Sequence, residues 1–244
     1  MIKAIVTLYC PQKEDKNHIL RIMQQADWLY ICDNSPYSSE EEYAGYDKVT
    51  YFHWGENRGL SYAFNTVLKD TALGWHENDY VMFFDQDTVI PKGHIAKLME
   101  EYSRLRELGV NTGCIGPCYF NTSNNTLELP RRKVLLSEKT LAVKSIITTS
   151  MLCRYKDLHS IGFWNEDVFL DMADWDLCWR FLKHGYQCCM TKASVIRHAV
   201  GTGEKRIVFF RCGLAGRSGS IISCVTAGIC FGSIMCRPGL KFVL

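Results

Sequence analysis

The chain has 244 residues, of which 47% are hydrophobic and 22% are charged, and its formal net charge at pH 7 is +2. This composition supplies enough apolar side chains for a core, and it excludes a chain that is disordered, collagen-like or coiled-coil throughout. The small net charge gives no whole-chain argument for a nucleic-acid partner, and we expect none.

The basic residues are concentrated at the C-terminal end. Six of the 28 Lys and Arg residues, and no Asp or Glu, lie from Lys205 onward. The body is therefore mildly acidic, and residues 204–244 form a basic tail. Residues 212–236 are rich in Gly, Ser and Cys and have no helical period. Three interpretations remain open: a membrane-apposed segment, a disordered tail, or a frame-shifted and truncated C-terminus, which we favour because the composition changes abruptly after Phe210.

The 12 cysteines do not form a recognisable framework. No C-x-x-C pair occurs, and a chain of this length does not need disulfides to be stable. Cys32 and Cys153 lie in apolar runs, where a free thiol packs as a small hydrophobic side chain. The apolar N-terminus is too short for a signal peptide and predicts a first strand. These features predict a protein of the reducing cytoplasm.

Strands and helices alternate over the first 108 residues. Short apolar runs at residues 4–9, 28–32, 48–54 and 80–84 predict strands, and apolar side chains at helical spacing predict helices between them. Short connections between alternating elements predict an α/β fold with a mostly parallel sheet flanked by helices. The apolar helix faces consist of Ile19, Ile22, Met23 and Ala26, and of Leu60, Ala63, Phe64, Val67 and Leu68.

The alternation weakens after residue 110. Residues 113–155 are predicted to be extended and partly antiparallel, residues 169–184 to form a helix ended by Gly185, and residues 195–198 to form a late strand. No linker-like composition separates the two parts. We therefore expect one domain over residues 1–203, with halves at 1–110 and 111–203.

Polar clusters follow three of the predicted strands. They are Cys10-Pro11, Asp33-Asn34 and Asp85-Gln86-Asp87. Ligands of open α/β sheets bind at the carboxyl ends of the strands. The three clusters are thus predicted to lie at one edge and to form a binding site there.

Asp85 and Asp87 are the first candidates for chemistry. Two carboxylates at the end of a rigid strand are suited to hold Mg²⁺ or Mn²⁺ together with substrate phosphates. The alternative is a strand–helix turn in which Asp87 or Thr88 caps the next helix. His198 follows the late strand and would complete a metal site if it lay near Asp87; otherwise it is a packed histidine.

Two further clusters carry weaker signals. Asp33 could accept a hydrogen bond from a pyrimidine ring, or it could simply close an Asx-turn. Asn57, Gly59 and Asn65 begin a predicted helix, where Gly59 would let backbone approach a ligand and the helix N-terminus would favour an anion. The alternative is an ordinary Asn cap followed by glycine.

Asp171, Asp174 and Asp176 crowd one short segment. Asp171 and Asp174 share a helix face if that segment is helical. One of them could be a general base with a raised pKa. The alternative is compensation of the helix dipole at its N-terminus.

Six segments, in this order, resemble inverting glycosyltransferases of family 2, which have the GT-A fold. The FDQD string at 84–87 and the D-x-x-D-x-D-x-C-x-R string at 171–180 are most similar to bacterial rhamnosyltransferases of that family. The resemblance covers residues 1–203. The segments are TLYCP (7–11), ICDNS (31–35), ENRGLSYAFN (56–65), FFDQDT (83–88), residues 150–186 and IRHAVG (196–201).

The resemblance implies a nucleotide-sugar donor and a role for each matching residue. Asp33 would lie near the base, Asp85 near the ribose or the metal, and Asp87 on Mg²⁺ or Mn²⁺ with His198. Asp174 would be the general base. The implied donor-binding residues are Tyr9, Pro11, Asp33, Asn57, Gly59, Asn65, Asp85 and Gln86, and the implied acceptor-side residues are Asp171, Trp179 and Arg180.

Two positions depart from the family pattern. Cys10 stands where relatives often have Asn, and Ala173 stands where many have Glu; the latter favours the rhamnose subset. We therefore expect a cytoplasmic, metal-dependent enzyme that transfers L-rhamnose from dTDP-L-rhamnose to a lipid-linked glycan, a polysaccharide precursor such as that of O-antigen, at the inner membrane face. The basic tail would contact anionic lipid peripherally.

Three alternatives stay open. The donor could be a UDP-sugar carrying another hexose. The protein could be a sugar-phosphate nucleotidyltransferase, although residues 10–15 (CPQKED) lack the glycines of the phosphate loop expected there. It could also be an inactive nucleotide-sugar-binding protein.

Overall fold

The computed structural model describes residues 1–122, 125–129 and 134–198. The basic tail at 204–244, with its three interpretations, lies outside the described residues.

Within the described residues, ten strands form a single sheet and five α-helices accompany it. The helices are α1 (Asp15–Met23), α2 (Leu60–Lys69), α3 (His94–Glu107), α4 (Tyr155–Ser160) and α5 (Ala173–Lys183). The strands are β1 (Ile2–Leu8), β2 (Trp28–Asp33), β3 (Val49–His53), β4 (Tyr80–Asp85), β5 (Thr112–Asn121), β6 (Thr126–Glu128), β7 (Val134–Leu135), β8 (Thr140–Val143), β9 (Met151–Arg154) and β10 (Gln187–His198).

The strand order is β3-β2-β1-β4-β9-β5-β10-β8-β7, with β6 paired to β5. Strands β3, β2, β1 and β4 are parallel, β9 runs antiparallel between β4 and β5, and β10 is parallel to β5. Strands β5 and β10 therefore point in the same direction as β4. The predicted α/β fold with a mostly parallel sheet is confirmed.

Helices cover both faces of the sheet. On one face, Phe64 of α2 and Phe181 of α5 pack in the same fully buried cluster as Phe83 of β4. On the other face, Ile19 of α1 and Leu98 of α3 belong to a second cluster. Burying each of these large side chains contributes about 1.5–3 kcal/mol relative to exposure, so this three-layer core holds the strand ends in place.

The eight described cysteines are free thiols, as the sequence predicted. Three of them, Cys114, Cys178 and Cys188, meet where α5 packs on β5 and β10, and their sulfur atoms lie within 4.8 Å of one another. All three are fully buried in the apolar core. They act there as small hydrophobic side chains.

Two elements differ from the sequence prediction. Helix α5 begins at Ala173 rather than at 169, because Met172 adopts a left-handed backbone with φ 67° and cannot be part of the helix. Its end before Gly185 is as predicted. Strand β10 begins at Gln187, well before residue 195, and an irregularity between Thr191 and Val195 divides it.

Among the described residues, no helix is both long enough and apolar enough to span a membrane.

Candidate active site

The strand directions bring the predicted site residues to one edge of the sheet. Asp33 ends β2, Asp85 ends β4 and His198 ends β10. Because β10 points in the same direction as β4, His198 reaches the edge at which Asp85 lies. An isolated bridge between Val89 and Arg197 ties the turn after Asp87 to the end of β10.

Asp85, Asp87 and His198 form a group suited to a divalent cation, and we call them the metal rim. Each offers one ligand atom, and these atoms all lie within 4.8 Å of one another. The Nδ1 atom of His198 is 3.7 Å from Oδ1 of Asp87, which is too long for a hydrogen bond, and this buried nitrogen has no hydrogen-bond partner among the described residues. A buried nitrogen without a partner beside two carboxylates fits a metal-binding role.

Asp85 is held by a residue of the turn that precedes β9. The Thr149 hydroxyl donates to its Oδ2 at 2.6 Å, and the Asp85 backbone N–H donates to the Thr149 oxygen at 2.9 Å. Burial raises the pKa of Asp85, while the hydrogen bond from Thr149 acts in the opposite direction. The carboxylate is thus partly dry and fixed in orientation.

Asp174 lies in the first turn of α5 and is half-buried. Burial raises its pKa to about 7, and the negative charge of Asp85 adds to the shift. Burial raises the pKa of Tyr119, and the charges of Glu128 and Asp174 add to that shift. The charge of Asp85 thus reaches Asp174, and the role of Asp174 as the base stays a prediction.

The exposed face of α5 beside Asp174 is aromatic. Trp175 and Trp179 lie one turn apart, with ring centroids 6.2 Å apart, and are 40% and 51% exposed. Asp171 precedes the helix and is exposed, so it does not share a helical face with Asp174. Trp175 and Trp179 are thus both accessible on this face, and the acceptor-side roles of Trp179 and Asp171 stay predictions.

The side chain of Gln86 binds the loop after β1. Its Oε1 accepts from the Tyr9 backbone N–H at 2.7 Å, and its Nε2 donates to Asp15 at 3.0 Å. The Tyr9 side chain stays 54% exposed at the edge, and Pro11 is half-buried. The amide of Gln86 is used within the chain, so it positions Tyr9 rather than facing a donor directly.

Asp33 makes the contacts of the Asx-turn alternative. One oxygen accepts from the Ser35 N–H at 2.8 Å, and the other accepts from the Ser39 N–H at 3.4 Å and from the Tyr51 hydroxyl. The residue is fully buried. A contact between Asp33 and a base would require residues 35–39 to move, and that contact stays a prediction.

Internal packing explains the glycine at position 59. Its φ of 82° is unfavourable for other residues, and a Cβ atom there would lie 2.5 Å from the backbone oxygen of Phe169. That oxygen also accepts from the Leu60 N–H at 2.8 Å. The predicted close approach of a ligand, and the predicted open helix N-terminus, are thus corrected: Phe169 occupies this position. Asn57 accepts from the Gly59 N–H at 3.0 Å, but Gly59 is itself the N-cap of α2 and no side chain caps the helix, so the Asn-cap alternative is also wrong.

Asn65 is structural, which corrects its predicted role in donor binding. It is 1% exposed, its Nδ2 donates to the Trp164 oxygen at 2.9 Å and to Glu166 at 2.7 Å, and its Oδ1 accepts from the Trp164 N–H at 3.0 Å. Lys69 also binds Glu166, at 2.7 Å. We call Asn65, Lys69 and Glu166 the brace, because they join α2 to the loop before α5.

Most of the Arg180 guanidinium is used within the chain. Its Nη1 donates to the backbone oxygens of Ile161 and Phe163 at 2.8 and 2.5 Å, and its Nε donates to Asp176 at 2.8 Å. These bonds attach α5 to the loop at 161–163. Arg180 therefore fixes the helix that carries Asp174, while its Nη2 has no partner among the described residues, and its acceptor-side role stays a prediction.

The model of Glycosyl transferase family 2 matches residues 23–162, which is more than half of the chain. The chain belongs to glycosyltransferase family 2. It is also 24% identical over 228 residues to the dTDP-rhamnosyl transferase RfbF of Shigella flexneri, with 87% of this chain and 72% of the relative covered. The predicted family is confirmed, and with it the predicted enzyme class, a glycosyltransferase.

Solved structures show the same fold. The structure of GalNAc-T7 with UDP, GalNAc and Mn²⁺ matches with a TM-score of 0.63 at 11% identity, over 82% of this chain and 44% of that one. Residues 1–349 of S. aureus TarS match with a TM-score of 0.56 at 16% identity, over 81% of this chain and 60% of that one. This chain thus spans less than two thirds of each solved chain. The predicted GT-A fold is confirmed.

Three residues of this family 2 domain make positioning contacts that spacing did not predict: Thr149, which had no signal, and Thr88 and Asn34, which were placed only in a cap and a strand-end cluster. Thr149 and Thr88 meet through their hydroxyl oxygens at 2.8 Å and support Asp85. Asn34 accepts from the Arg58 N–H at 3.1 Å and donates to the Gly59 oxygen at 3.3 Å, which ties the end of β2 to the start of α2. The strings TTS at 148–150 and DNS at 33–35 are typical of loops, and their long-range partners have no local signal.

Proposed function

We propose that this protein is a metal-dependent inverting glycosyltransferase that transfers L-rhamnose from dTDP-L-rhamnose to a hydroxyl of a glycan acceptor. The observation that carries the proposal is the metal rim together with Asp174, whose pKa burial raises to about 7 and whose shift the charge of Asp85 increases. One carboxylate ready to take a proton and two others ready to hold a cation are what such a transfer requires.

The metal rim supports the donor side of the proposal. Asp85, Asp87 and His198 would hold Mg²⁺ or Mn²⁺, which would neutralise the negative charge that develops on the leaving diphosphate. The unpartnered His198 nitrogen and the half-exposed Asp87 carboxylate are the groups available for it. The Tyr9 side chain at the same edge is exposed and would contact the donor.

Asp174 supports the acceptor side. Its carboxylate would accept the proton of the acceptor hydroxyl while that oxygen attacks the anomeric carbon on the side opposite the diphosphate. The new glycosidic bond forms as the bond to the diphosphate breaks, so the anomeric configuration inverts. A pKa near the working pH is the best compromise between being deprotonated and being basic.

The exposed tryptophans favour a saccharide as the acceptor. Trp175 and Trp179 offer large, flat apolar faces with a polar N–H edge, and such amphipathic rings suit ligands that are apolar on one face and hydroxylated at the rim. Their place on the turns next to Asp174 would align a sugar ring with the base. A lipid-linked glycan precursor, and a peripheral membrane contact by the basic tail in the cytoplasm, remain part of this proposal.

The donor sugar is supported by the relatives. The similarity to a dTDP-rhamnosyl transferase favours dTDP-L-rhamnose. The alternative, a UDP-sugar, is favoured by the fold's likeness to TarS in complex with UDP-GlcNAc, which matches with a TM-score of 0.55 at 14% identity, over 83% of this chain and 59% of that one. Fold alone does not determine the sugar. We therefore give more weight to the sequence similarity and propose rhamnose as the donor sugar.

A donor panel tests the proposal. The full-length protein is incubated with Mn²⁺ or Mg²⁺, a glycan acceptor and, in turn, dTDP-L-rhamnose and the common UDP-hexoses, and released nucleoside diphosphate is measured. We expect release from dTDP-L-rhamnose that requires the cation and the acceptor. Release from a UDP-sugar alone would select the alternative donor. Donor binding without any release would indicate a binding protein, and pyrophosphate release from dTTP and rhamnose 1-phosphate would indicate a nucleotidyltransferase.

A further inference from the structure

The segment before β9 lies against the metal rim. Because β9 is antiparallel to β4, its first residue, Met151, pairs with Phe83 near the carboxyl end of β4. The preceding residues therefore lie beside Asp85. Thr149 is 1% exposed there and makes two hydrogen bonds with Asp85, one to its carboxylate and one from its backbone N–H.

The donor and acceptor roles of the two hydroxyl groups near Asp85 are fixed by their partners. Thr149 has one proton, which it donates to Oδ2 of Asp85 at 2.6 Å. Its oxygen can then only accept from Thr88, whose hydroxyl oxygen is 2.8 Å away and whose side chain is fully buried. The result is a short chain of donors from Thr88 through Thr149 to the carboxylate, and each bond in such a chain polarises the next.

The backbone next to Thr149 is anchored on its far side. Ser150 has φ 67°, its N–H donates to the Phe83 oxygen at 2.6 Å, and its hydroxyl contacts Nε2 of His94. His94 is fully buried, and its Nδ1 lies 2.8 Å from the hydroxyl of Ser194 in β10, the strand that ends at His198. The segment is thus connected to both strands that carry the metal rim.

We propose that Thr149 is a positioning residue that fixes the orientation of the Asp85 carboxylate toward the cation. The inference rests on the proposed use of a metal. The terminal torsion of an aspartate is broad and weakly restrained by itself. Pinning one oxygen to Thr149 restricts that rotation and presents the remaining carboxylate lone pairs to the cation before it binds. Residues that orient metal ligands in this way commonly change metal affinity by about 10–100-fold when they are replaced.

Paired substitutions separate the hydroxyl from the shape of the side chain. Thr149→Val keeps the volume and removes the hydrogen bonds, whereas Thr149→Ser keeps the hydroxyl. Mn²⁺ is titrated into the full-length protein without donor or acceptor, and binding is followed by the electron paramagnetic resonance of free Mn²⁺. We expect Mn²⁺ binding to Thr149→Val to weaken by about 10–100-fold, and Thr149→Ser to bind close to wild type.

Turnover gives a second measurement. In Thr149→Val, saturating Mn²⁺ should restore most of kcat while the Mn²⁺ concentration for half-maximal rate rises, because Asp174 is unchanged. A matched control is Tyr102→Phe, which removes another buried hydroxyl, bonded to the Thr112 oxygen at 3.0 Å and to Asp157 at 3.2 Å. Tyr102 belongs to α3 like His94 but contacts the opposite end of the sheet, and we expect its variant to bind Mn²⁺ as wild type does.

The outcomes that would overturn the role of Thr149 are distinct. If Thr149→Val binds Mn²⁺ as tightly as wild type, Thr149 does not position Asp85. If Mn²⁺ affinity falls equally in Thr149→Ser, the hydroxyl group is not the cause of the loss. Weakening in Tyr102→Phe would indicate a general loss of packing, which thermal unfolding of all variants would reveal, and would likewise count against the specific role. Absence of Mn²⁺ binding by the wild type would overturn the metal rim itself.

Discussion

The carboxyl pKa values are shifted in opposite directions at the candidate active site and in the brace. In the brace, hydrogen bonds from Lys69 and Asn65 lower the pKa of Glu166, so its charge is stabilised within the chain. At the site, burial raises the pKa of Asp85 and of Asp174, and Nδ1 of the neighbouring His198 has no hydrogen bond within the part of the chain that the structure describes. A satisfied carboxylate holds elements together, whereas one held in an unfavourable environment is available for a substrate or a cation.

The largest expected effect is on Asp174. In Asp174→Asn the side chain keeps its size but cannot take a proton, so turnover should fall by about 10²–10⁴-fold or more. Donor binding should be unchanged, because the metal rim is intact. Released nucleoside diphosphate and donor titration measure the two quantities. Turnover close to wild type would remove Asp174 from the role of base.

Asp87→Ala is expected to come next. Loss of a direct ligand should weaken cation-dependent donor binding by at least the roughly 10–100-fold known for residues that only support ligands. Donor affinity is measured with and without Mg²⁺ in the wild type and the variant. Equal affinities under all four conditions would contradict a metal at the rim.

The pH profile tests the raised pKa directly. Asp174 is protonated below a pH of about 7, so kcat/KM should fall about tenfold for each pH unit below that point and level off above it. A bound cation would offset the charge of Asp85 and move the midpoint to lower pH. A profile that stays flat down to the ordinary pKa of an aspartate, about 3.9, would show that the carboxyl is not perturbed.

The same shift has a consequence for stability. A raised pKa in the folded state means that Asp174 contributes stability while protonated, below its unfolded pKa, and that this contribution is lost as the pH rises through about 7. Above pH 7, the uncharged Asp174→Asn should therefore unfold at the same or a higher denaturant concentration than wild type. Thermal or urea unfolding at pH 5 and pH 8 measures the difference.

The smallest effect on turnover is expected in the brace. Asn65→Ala leaves the Trp164 N–H and the Glu166 carboxylate without their amide partner, so the free energy of unfolding should fall by about 1–3 kcal/mol. Turnover per folded molecule should change little. Urea unfolding and the donor assay measure the two quantities. A large loss of kcat in protein that remains folded would show that Asn65 takes part in donor binding after all.

The sequence predicts the fold better than it predicts the roles of polar residues. Strands β1 to β4 follow from runs of branched and aromatic residues, and their order along the chain indicates a parallel sheet, so the meeting of Asp85 with the other strand ends could be foreseen. The start of α5 could not, because Met172 adopts a left-handed backbone without being glycine. Nothing local distinguishes Asn65, buried in the brace, from an asparagine that faces a ligand.

Long-range partners account for the remaining differences. Arg180 was placed near the acceptor by resemblance alone, yet its bonds are to carbonyl groups of residues 161 and 163, 17 to 19 positions away. Thr149 acquires its role only because β9 is reversed between β4 and β5. The order of strands in a sheet depends on packing between distant segments, and spacing within a single sequence does not report it.

The contact between Gly59 and Phe169 joins two segments that are distant in the chain, and it leaves no space for a side chain at residue 59. Gly59 immediately precedes α2, and Phe169 lies four positions before the helix that carries Asp174. Any side chain at 59 would push the backbone that leads into that helix. A substitution at residue 59 must therefore be accommodated by a shift at Phe169, so the start of one helix and the approach to another cannot change independently.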